Sequence, residues 1–389
     1  MTMSTTFLAH FNSITDPRIE RCKKHQLIDI LLLAICAVLS GAEGWEDIED
    51  FGHLKLDWLK KYGTFPAGIP KHDTIARVIC RLKSNEIEKA FQSWISSLIE
   101  TTGADIIAID GKTARRSFTT QDRKTALHTV SAWSCQHQLV LGQTAVDNKT
   151  NEITAIPELL AMLDIENSII TLDAMGCQQS IAKQIVKQKA DYIFALKGNH
   201  SGMQDELEAW WHKSQREGFD ENNMDEHIEI NAGHGRIETR TCQQLLINKD
   251  WLAKPYRWSG LQSVIKVTSQ VHDKSTGTDT IETRWYISSL ALNAAQALNA
   301  VRSHWQVESM HWMLDMTFRE DESRIRKQQG PLVFNVMRKI AMALLKRDDT
   351  KSASIARKKK MAGLDDDYRS TLLHILMHRD HLIPSKPIT

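Results

Sequence analysis

Two aspartates in this sequence follow short runs of apolar, mostly β-branched residues. Asp110 ends the run IIAID, and Asp173 ends the run SIITLD. Runs of this kind predict buried strands, so each carboxylate is expected where its strand leaves the sheet. Two carboxylates side by side repel each other unless a cation lies between them. The pair therefore predicts an oxygen-rich site for a divalent cation.

A third carboxylate is expected from a helix that begins near Asn293. His304, Glu308, His311 and Asp315 recur there at steps of three and four residues, so they share one helical face. Glu308 is the best candidate to complete the site. Oxygen ligands without cysteine suit Mg²⁺ or Mn²⁺. Two such ions can activate a water or a 3′-hydroxyl for in-line phosphoryl displacement, so the expected substrate is a phosphodiester.

These residues also have structural interpretations. A single Asp at a strand end is more often a helix cap or a turn former, and a single Glu is more often a surface helix residue. Trp305 and Trp312, seven residues apart on the helix of Glu308, are expected in the core rather than as a platform for stacked bases.

The residues after Asp110 also exclude a nucleotide-binding loop. Gly111, Lys112 and Thr113 match the end of a P-loop, but the position five before Gly111 is Ile106 instead of Gly. The backbone of a P-loop must wrap the phosphates, and this segment cannot do so. We therefore interpret the segment as a strand.

The composition is typical of a globular chain. The 389 residues are 42% hydrophobic and 25% charged, which allows two or three domains. The six cysteines, at positions 22, 36, 80, 135, 177 and 242, form no C-x-x-C pair, so reduced thiols are expected. The run ILLLAICAVLSGA from Ile30 is shorter than the roughly 20 residues that cross a bilayer, and it predicts a buried helix. Without a signal-peptide pattern, a cytoplasmic protein with no membrane partner is expected.

Positive charge is concentrated towards the end of the chain. The net charge of +1 indicates no particular partner, but residues 319–389 hold 16 Lys and Arg against 9 Asp and Glu. The segments RIRKQQG and RKKK (357–360) suit a polyanion. The alternative is a solvated helix face followed by a loose tail.

Changes in periodicity predict the organisation of the chain. Apolar residues at helical spacing predict a helical N-terminal domain over 1–103. From 104 the pattern predicts three antiparallel strands, a helix, a strand, a helix and a strand, which is a mixed α/β sheet. This core would cover 104–199 and 291–345, with a β-rich insertion over 200–290 and a basic helical C-terminal region over 346–389. Pro157 is expected in the first turn of a helix, TAIPELLAMLD.

Six segments occur in the order found in a known family: AIDGKTARRS, NEITAIPELLAMLD, ITLDAMGCQ, YIFALKGNH, HGRIETR and HWQVESMHWMLDMTFREDESRIR. From about residue 40 to 345 the sequence resembles the H-repeat-associated insertion-sequence transposases, which are DDE transposases with a ribonuclease H-like core. The resemblance implies that Asp110, Asp173 and Glu308 form an acidic triad that binds two Mg²⁺ ions, with Mn²⁺ as a substitute. It implies metal-dependent cleavage and joining of double-stranded DNA at element ends, by a homodimer on DNA.

The resemblance also implies that the N-terminal helices and the basic C-terminal region hold DNA. Related transposases often have a Tyr seven residues and an Arg four residues before the Glu, and a Lys seven after it, where this sequence has Val301, His304 and Asp315. The residues expected to contact DNA instead are Lys197, Arg302, His304, Arg357, Lys358, Lys359 and Lys360. Two alternatives stay open: a ribonuclease H-like nuclease that does not join strands, and a non-catalytic DNA-binding descendant of a transposase.

Overall fold

The computed structural model describes residues 5–99, 105–118, 126–146, 152–218, 220, 223–233, 235–247 and 258–377. The end of the predicted basic C-terminal region, residues 378–389, lies outside these ranges. The helices are α1 Thr5–Phe11, α2 Leu27–Leu39, α3 Trp45–Leu59, α4 His72–Ile79, α5 Ser84–Ser97, α6 Glu152–Met162, α7 Gln179–Lys187, α8 Ser201–Glu217, α9 Ala294–Met316, α10 Gly330–Arg347, α11 Ile355–Leu364 and α12 Asp366–Met377. The strands are β1 Ile106–Thr113, β2 His128–Ser134, β3 Leu139–Val146, β4 Ile169–Leu172, β5 Asp191–Leu196, β6 Met224–Gly233, β7 Arg236–Leu246, β8 Ser263–Asp273 and β9 Thr278–Ser288.

One mixed sheet organises the described chain, with strand order β3-β2-β1-β4-β5-β9-β8-β7-β6. β1 pairs antiparallel with β2 and parallel with β4, and β4 pairs parallel with β5. The predicted fold class, a mixed α/β sheet with helical N- and C-terminal regions, is confirmed.

The strands of the predicted insertion extend this sheet. β9 pairs antiparallel with β5, with Ile193 opposite Ser288, and β8, β7 and β6 follow outward. The segment also contains α8, Ser201–Glu217, which the sequence pattern did not predict.

Helices cover both faces of the sheet. Ile106 and Ala108 of β1 belong to a core shared with α2, α9 and α10, whereas Ile107 and Ile109 pack with α6, α7 and α8. Successive residues of a strand point to opposite faces, so Asp110 lies on the face that α9 covers. Strand alternation therefore sets which helix can share a site with Asp110.

The run from Ile30 forms the buried helix that the sequence predicted. In α2, every residue from Asp29 to Leu39 is buried, as expected for a helix that is apolar all round. The buried Asp29 carboxylate accepts hydrogen bonds from the backbone N–H of Thr64 (3.0 Å) and Phe65 (2.8 Å). Among the described residues, no helix combines the length and apolarity needed to cross a membrane.

The cysteines and Pro157 lie in defined environments. Five cysteines, at positions 36, 80, 135, 177 and 242, are free and buried, as expected for reduced thiols. Pro157 is the sixth residue of α6, which begins at Glu152, so its predicted place in the first turn is wrong.

Candidate active site

The register of two parallel strands brings Asp110 and Asp173 to the same level of the sheet. Pairing of β1 with β4 ends at Ile109 opposite Leu172, and the two aspartates directly follow these residues along the chain. β1 itself continues to Thr113, paired only with β2. The prediction that the chain leaves the sheet at Asp110 is therefore wrong, because only the pairing with β4 ends there.

The Asp110 carboxyl group lies in a buried and negatively charged environment. Its side chain is 25% exposed. Burial raises its pKa to about 7, and the charges of Asp173, Glu152 and Glu308 act in the same direction, against a hydrogen bond from the backbone of Gly111. The charges of three other carboxylates thus act on Asp110. A cation bound between Asp110 and its acidic neighbours on the α9 face would relieve this repulsion.

Asp173 stabilises the turn after β4 and also lies near Glu308. Its Oδ1 accepts hydrogen bonds from the backbone N–H of Met175 (3.0 Å) and Gly176 (3.1 Å), as in a turn former. Asp173 also lines a cavity of about 430 Å³ together with Glu308. Asp110 does not line this cavity.

The helix that carries Glu308 begins where the sequence predicted. The side chain of Asn293 caps α9 by accepting a hydrogen bond from the backbone N–H of Gln296 (2.9 Å). Glu308 is exposed and faces the cavity. The other residues of its predicted face contact the strands of the two aspartates. The contacts are His304 Nδ1 with Thr171 Oγ1 (2.9 Å), His311 Nδ1 with Asp110 Oδ2 (3.5 Å) and Asp315 Oδ1 with Lys112 Nζ (2.7 Å).

Glu152 is a carboxylate that the sequence did not reveal; its charge acts on Asp110 although it lies on the opposite, α6 face of the sheet. It fills the space beside Gly111, where a Cβ would lie 2.2 Å from its Oε1. The same oxygen lies 2.7 Å from Nε2 of His128. The sequence feature that could have indicated a close neighbour here is Gly111, directly after Asp110. This glycine has no side chain, which makes room for Glu152.

The carboxylates near Asp110 have the chemistry to bind a divalent cation, but their side chains do not converge on one point. The acids supply the hard oxygen ligands that Mg²⁺ prefers, and their charges add to the effect of burial in raising the pKa of Asp110. Yet within the described ranges no group of three or more His, Cys, Asp or Glu is placed to hold a metal ion. A metal would have to draw these side chains together.

The predicted DNA contacts near the acids have different environments. Lys197 is exposed and lines the cavity with Asp173 and Glu308. Arg302 forms an ion pair with Glu229. His304 is half-buried, and burial lowers the pKa of its ring, which disfavours the cationic form. Lys197 is therefore the best placed of the three to meet a phosphate.

The predicted phosphate contacts at 357–360 require a correction. Lys358 and Lys359 are buried, and the Lys358 ammonium lies 3.2 Å from Asp348 Oδ2. Lys359 donates to the carbonyl oxygen of Thr317 (2.8 Å), which caps the C-terminus of α9. Cations stabilise the free carbonyls at helix C-termini. The prediction is therefore wrong for Lys358 and Lys359, whereas Arg357 and Lys360 are exposed.

The two tryptophans of α9 do not lie in the core. Trp305 is 48% exposed and Trp312 is 64% exposed, so the expectation of core positions is wrong. Trp305 lines the cavity of Asp173, and the guanidinium of Arg284 lies 5.1 Å from its ring centroid.

Comparison with known proteins identifies the class. The Transposase DDE domain model matches residues 101–344, and a DDE_Tnp_1-associated model matches residues 8–95. The chain therefore belongs to the DDE transposase family, as the resemblance implied.

Several relatives come from Escherichia coli (strain K12). The H repeat-associated putative transposase YhhI is 41% identical over 369 residues, which cover 94% of this chain and 97% of the relative. The H repeat-associated putative transposase YbfD is 48% identical over 233 residues, covering 60% and 91%. A protein named inactive transposase YbfQ is 71% identical over 59 residues, covering 15% and 70%.

Proposed function

We propose that this chain is a DNA transposase that cleaves and joins DNA strands at the ends of an insertion element. Asp110, Asp173 and Glu308 would be its acidic site. The observation that supports the proposal most is the pairing of Ile109 with Leu172, because the aspartates that follow these residues lie on the face of the sheet that α9 covers. Mutual repulsion with Asp173 and Glu308 also contributes to the raised pKa of Asp110.

The DDE family generally uses divalent metals, and the acids would hold them here. Asp110 and Asp173 would ligate two Mg²⁺ ions, and Glu308 would ligate one. Bound Mg²⁺ activates a water or 3′-hydroxyl and stabilises the leaving oxygen. The protein's own groups would orient the reactants: His311 contacts Asp110, and Lys197 places a positive charge at the cavity that Asp173 and Glu308 line.

Substitution of each acid tests the proposal. Asp110→Asn, Asp173→Asn and Glu308→Gln should each lower cleavage of the element's flanking DNA in Mg²⁺ by roughly 10²- to 10³-fold, since each removes a group that stabilises the transition state. The measurement is mapping of the 3′-hydroxyl ends, followed by joining on paired ends. Glu206→Gln, an exposed acid on α8, is the matched control. Near-normal cleavage by one variant would remove that residue from the site.

A non-catalytic DNA-binding descendant is the second candidate. The observation in its favour is that the acids of the described chain are not arranged to hold a metal ion. Such a protein would bind DNA equally well with and without metal, and it would produce no nicks even in Mn²⁺. Cleavage without joining of paired ends would instead indicate a nuclease.

The proposed reaction also requires two active sites to act together. A transposase acts on both ends of its element, so we propose a two-subunit complex on paired ends, consistent with the usual symmetry of oligomers. DNA can supply the effective concentration, so the free chain need not dimerise. Light scattering with end-containing DNA measures the subunit number. Joining by complexes with one subunit per pair of ends would contradict the proposal.

A further inference from the structure

We propose that a basic groove between α4 and the segment 324–328 binds the phosphate backbone of double-stranded DNA, as a site separate from the acidic cluster. The choice of DNA as the ligand rests on the proposed function. The groove itself rests on the charges, exposure and packing of its walls.

Cations from two distant parts of the sequence line this groove. It has a volume of about 930 Å³ and lies between the end of α4 and the segment that leads into α10. Among the described residues, Asp73 is the one carboxylate that lines it. The five cations are Arg77, Arg81, Arg324, Arg326 and Lys327.

The positive charge of the groove is not neutralised by the protein. Within the ranges that the structure describes, no carboxylate forms an ion pair with any of the five cations, and all except the half-buried Arg326 are exposed. Other arginines of the chain do have carboxylate partners, such as Arg18 with Asp16 and Arg284 with Glu282. A concave surface with one sign of charge attracts a polyanion.

Packing between the two walls holds the groove in shape. The backbone N–H of Gln329 donates to the carbonyl oxygen of Cys80 (3.1 Å), which joins the end of α4 to the start of α10. A Cβ at Gly330 would lie 2.7 Å from Cys80 Sγ, so glycine permits this close approach. Ile325, between two of the cations, is buried. The charged side chains therefore project from a fixed base.

The groove is connected to the strand of the acidic cluster. Segment 324–328 follows a 3₁₀ turn at Glu320–Glu322, in which Asp321 lies 3.5 Å from the ammonium of Lys112. Arg326 donates through Nε to the carbonyl oxygen of Arg116 (3.0 Å), shortly after β1. A DNA strand bound in the groove would therefore lie close to the segment of the chain that contains Asp110.

Two opposed walls of cations suit an extended backbone better than a single small anion. Arg77 and Arg81 are four residues apart along the chain, and Arg324 and Lys327 lie on the other wall. Contacts of Arg and Lys with phosphates fix the position of a protein on a duplex without reading its sequence. The expected occupant is therefore DNA backbone of any sequence.

The test is the salt dependence of duplex binding by the full chain. A labelled duplex of mixed sequence is titrated in EDTA at several salt concentrations, so that no cleavage occurs. In the combined variant Arg77→Ala, Arg81→Ala, Arg324→Ala and Lys327→Ala, the slope of log Kd against log salt should become shallower by up to about 0.9 per lost contact. Replacing the three arginines by Lys, in an otherwise unchanged chain, should preserve the slope because charge alone is required.

A matched variant controls for the loss of net charge. Lys183, Lys187, Lys213 and Lys274 are exposed and lie outside the groove and outside the two regions expected to hold DNA, and replacing all four by Ala should leave the slope unchanged. An equal loss of slope in both variants, or none in the groove variant, would overturn the proposal. So would a groove variant that loses affinity for heparin but not for the duplex.

The binding measurements, together with cleavage by the acid variants, separate this proposal from the proposed function. Wild-type chain that binds no duplex at any salt concentration would overturn both. Normal duplex binding with an unchanged slope in the groove variant would overturn the groove alone. Failure of the acid substitutions to reduce cleavage would overturn the catalytic assignment while leaving the groove result intact.

Discussion

At the scale of single residues, His311 has the geometry to orient Asp110. Burial, together with the charges of neighbouring cations, lowers its pKa to about 3, so the ring is neutral near pH 7. Its Nε2 is buried without a hydrogen-bond partner in the described chain, whereas Nδ1 lies 3.5 Å from Asp110 Oδ2. A neutral ring protonated on Nδ1 can direct its one N–H towards the carboxylate and restrict its rotation.

Replacing His311 by Ala should therefore weaken metal binding more than folding. Partners that orient a metal ligand commonly contribute 10- to 100-fold to metal affinity, so the Mg²⁺ concentration for half-maximal cleavage should rise by about that factor. Cleavage is measured against Mg²⁺ concentration. Ser309→Ala, an exposed change on the same helix, serves as the control. A lower rate at every Mg²⁺ concentration with an unchanged midpoint would indicate a structural role only.

At the scale of secondary-structure elements, Lys112 joins β1 to α9 and to the following 3₁₀ turn. Its ammonium lies 2.7 Å from Asp315, 3.5 Å from Asp321 and 3.8 Å from Glu320. Asp315 stands where related transposases often have a Lys, and its partner here is a lysine from β1. Position 315 of α9 therefore carries a negative charge instead of a positive one, and Lys112 of β1 neutralises it.

Loss of Lys112 should destabilise the fold because Asp315 then has no cationic partner in the described chain, whereas Asp321 keeps Arg115 and Glu320 keeps Arg338. Lys112→Met should lower the free energy of unfolding by about 1–3 kcal/mol, as expected when a buried charged group loses its hydrogen-bond partner. Asp315→Asn should cost less, since Lys112 keeps its other two acids. Urea unfolding measures both. The exposed pair of Lys189 and Glu166 offers the control Lys189→Met, which should change stability little. Equal effects of Lys112→Met and Lys189→Met would contradict the argument.

Elements with a clear local pattern were predictable from the sequence, whereas the long-range contacts that pair strands and bury charged side chains were not. Alternation and helical spacing predicted β1 to β5, α2 and the start of α9, because these patterns reflect which side of each element is buried. The sequence gives no comparable signal for the pairing of β9 with β5. Burial of Lys358 and Lys359 depends on carbonyl groups at the ends of α9 and α10, which only the folded chain places nearby.

The same distinction holds for the candidate site. Asp110 and Asp173 could be proposed because each follows a strand pattern, and Glu308 because its neighbours share a helical face. Glu152 had no such pattern, and its proximity to Asp110 follows from the packing of α6 beside Gly111.

At the scale of the whole molecule, a buried polar cluster joins the N-terminal helices to the sheet and to α10. Lys339 of α10 donates to Ser131 of β2 (2.8 Å) and to Gln143 of β3. Burial raises the pKa of Glu88, on α5, to about 7, although the charge of Lys339 and a hydrogen bond with Gln143 act against this shift. Burial also lowers the pKa of Lys339 to about 8. The ionisation of Glu88 is therefore coupled to the packing of three regions of the chain.

We predict that the contribution of Glu88 to the stability of the fold decreases between about pH 4.5 and pH 7. The pKa of Glu88 is about 7 in the folded chain, against an ordinary value of 4.5, so the folded state holds the proton more tightly. The resulting stabilisation is complete below pH 4.5 and is lost as the pH rises through 7, by up to about 3 kcal/mol at 1.36 kcal/mol per pKa unit.

Glu88→Gln should remove this dependence, so the variant gains stability relative to wild type as the pH rises across the window. Urea unfolding at several pH values measures the difference, and the other titrating groups cancel because both proteins contain them. The exposed change Glu206→Gln should leave the pH dependence of wild type intact. A constant difference between Glu88→Gln and wild type from pH 4.5 to 7 would show that Glu88 ionises as freely in the folded chain as in the unfolded one.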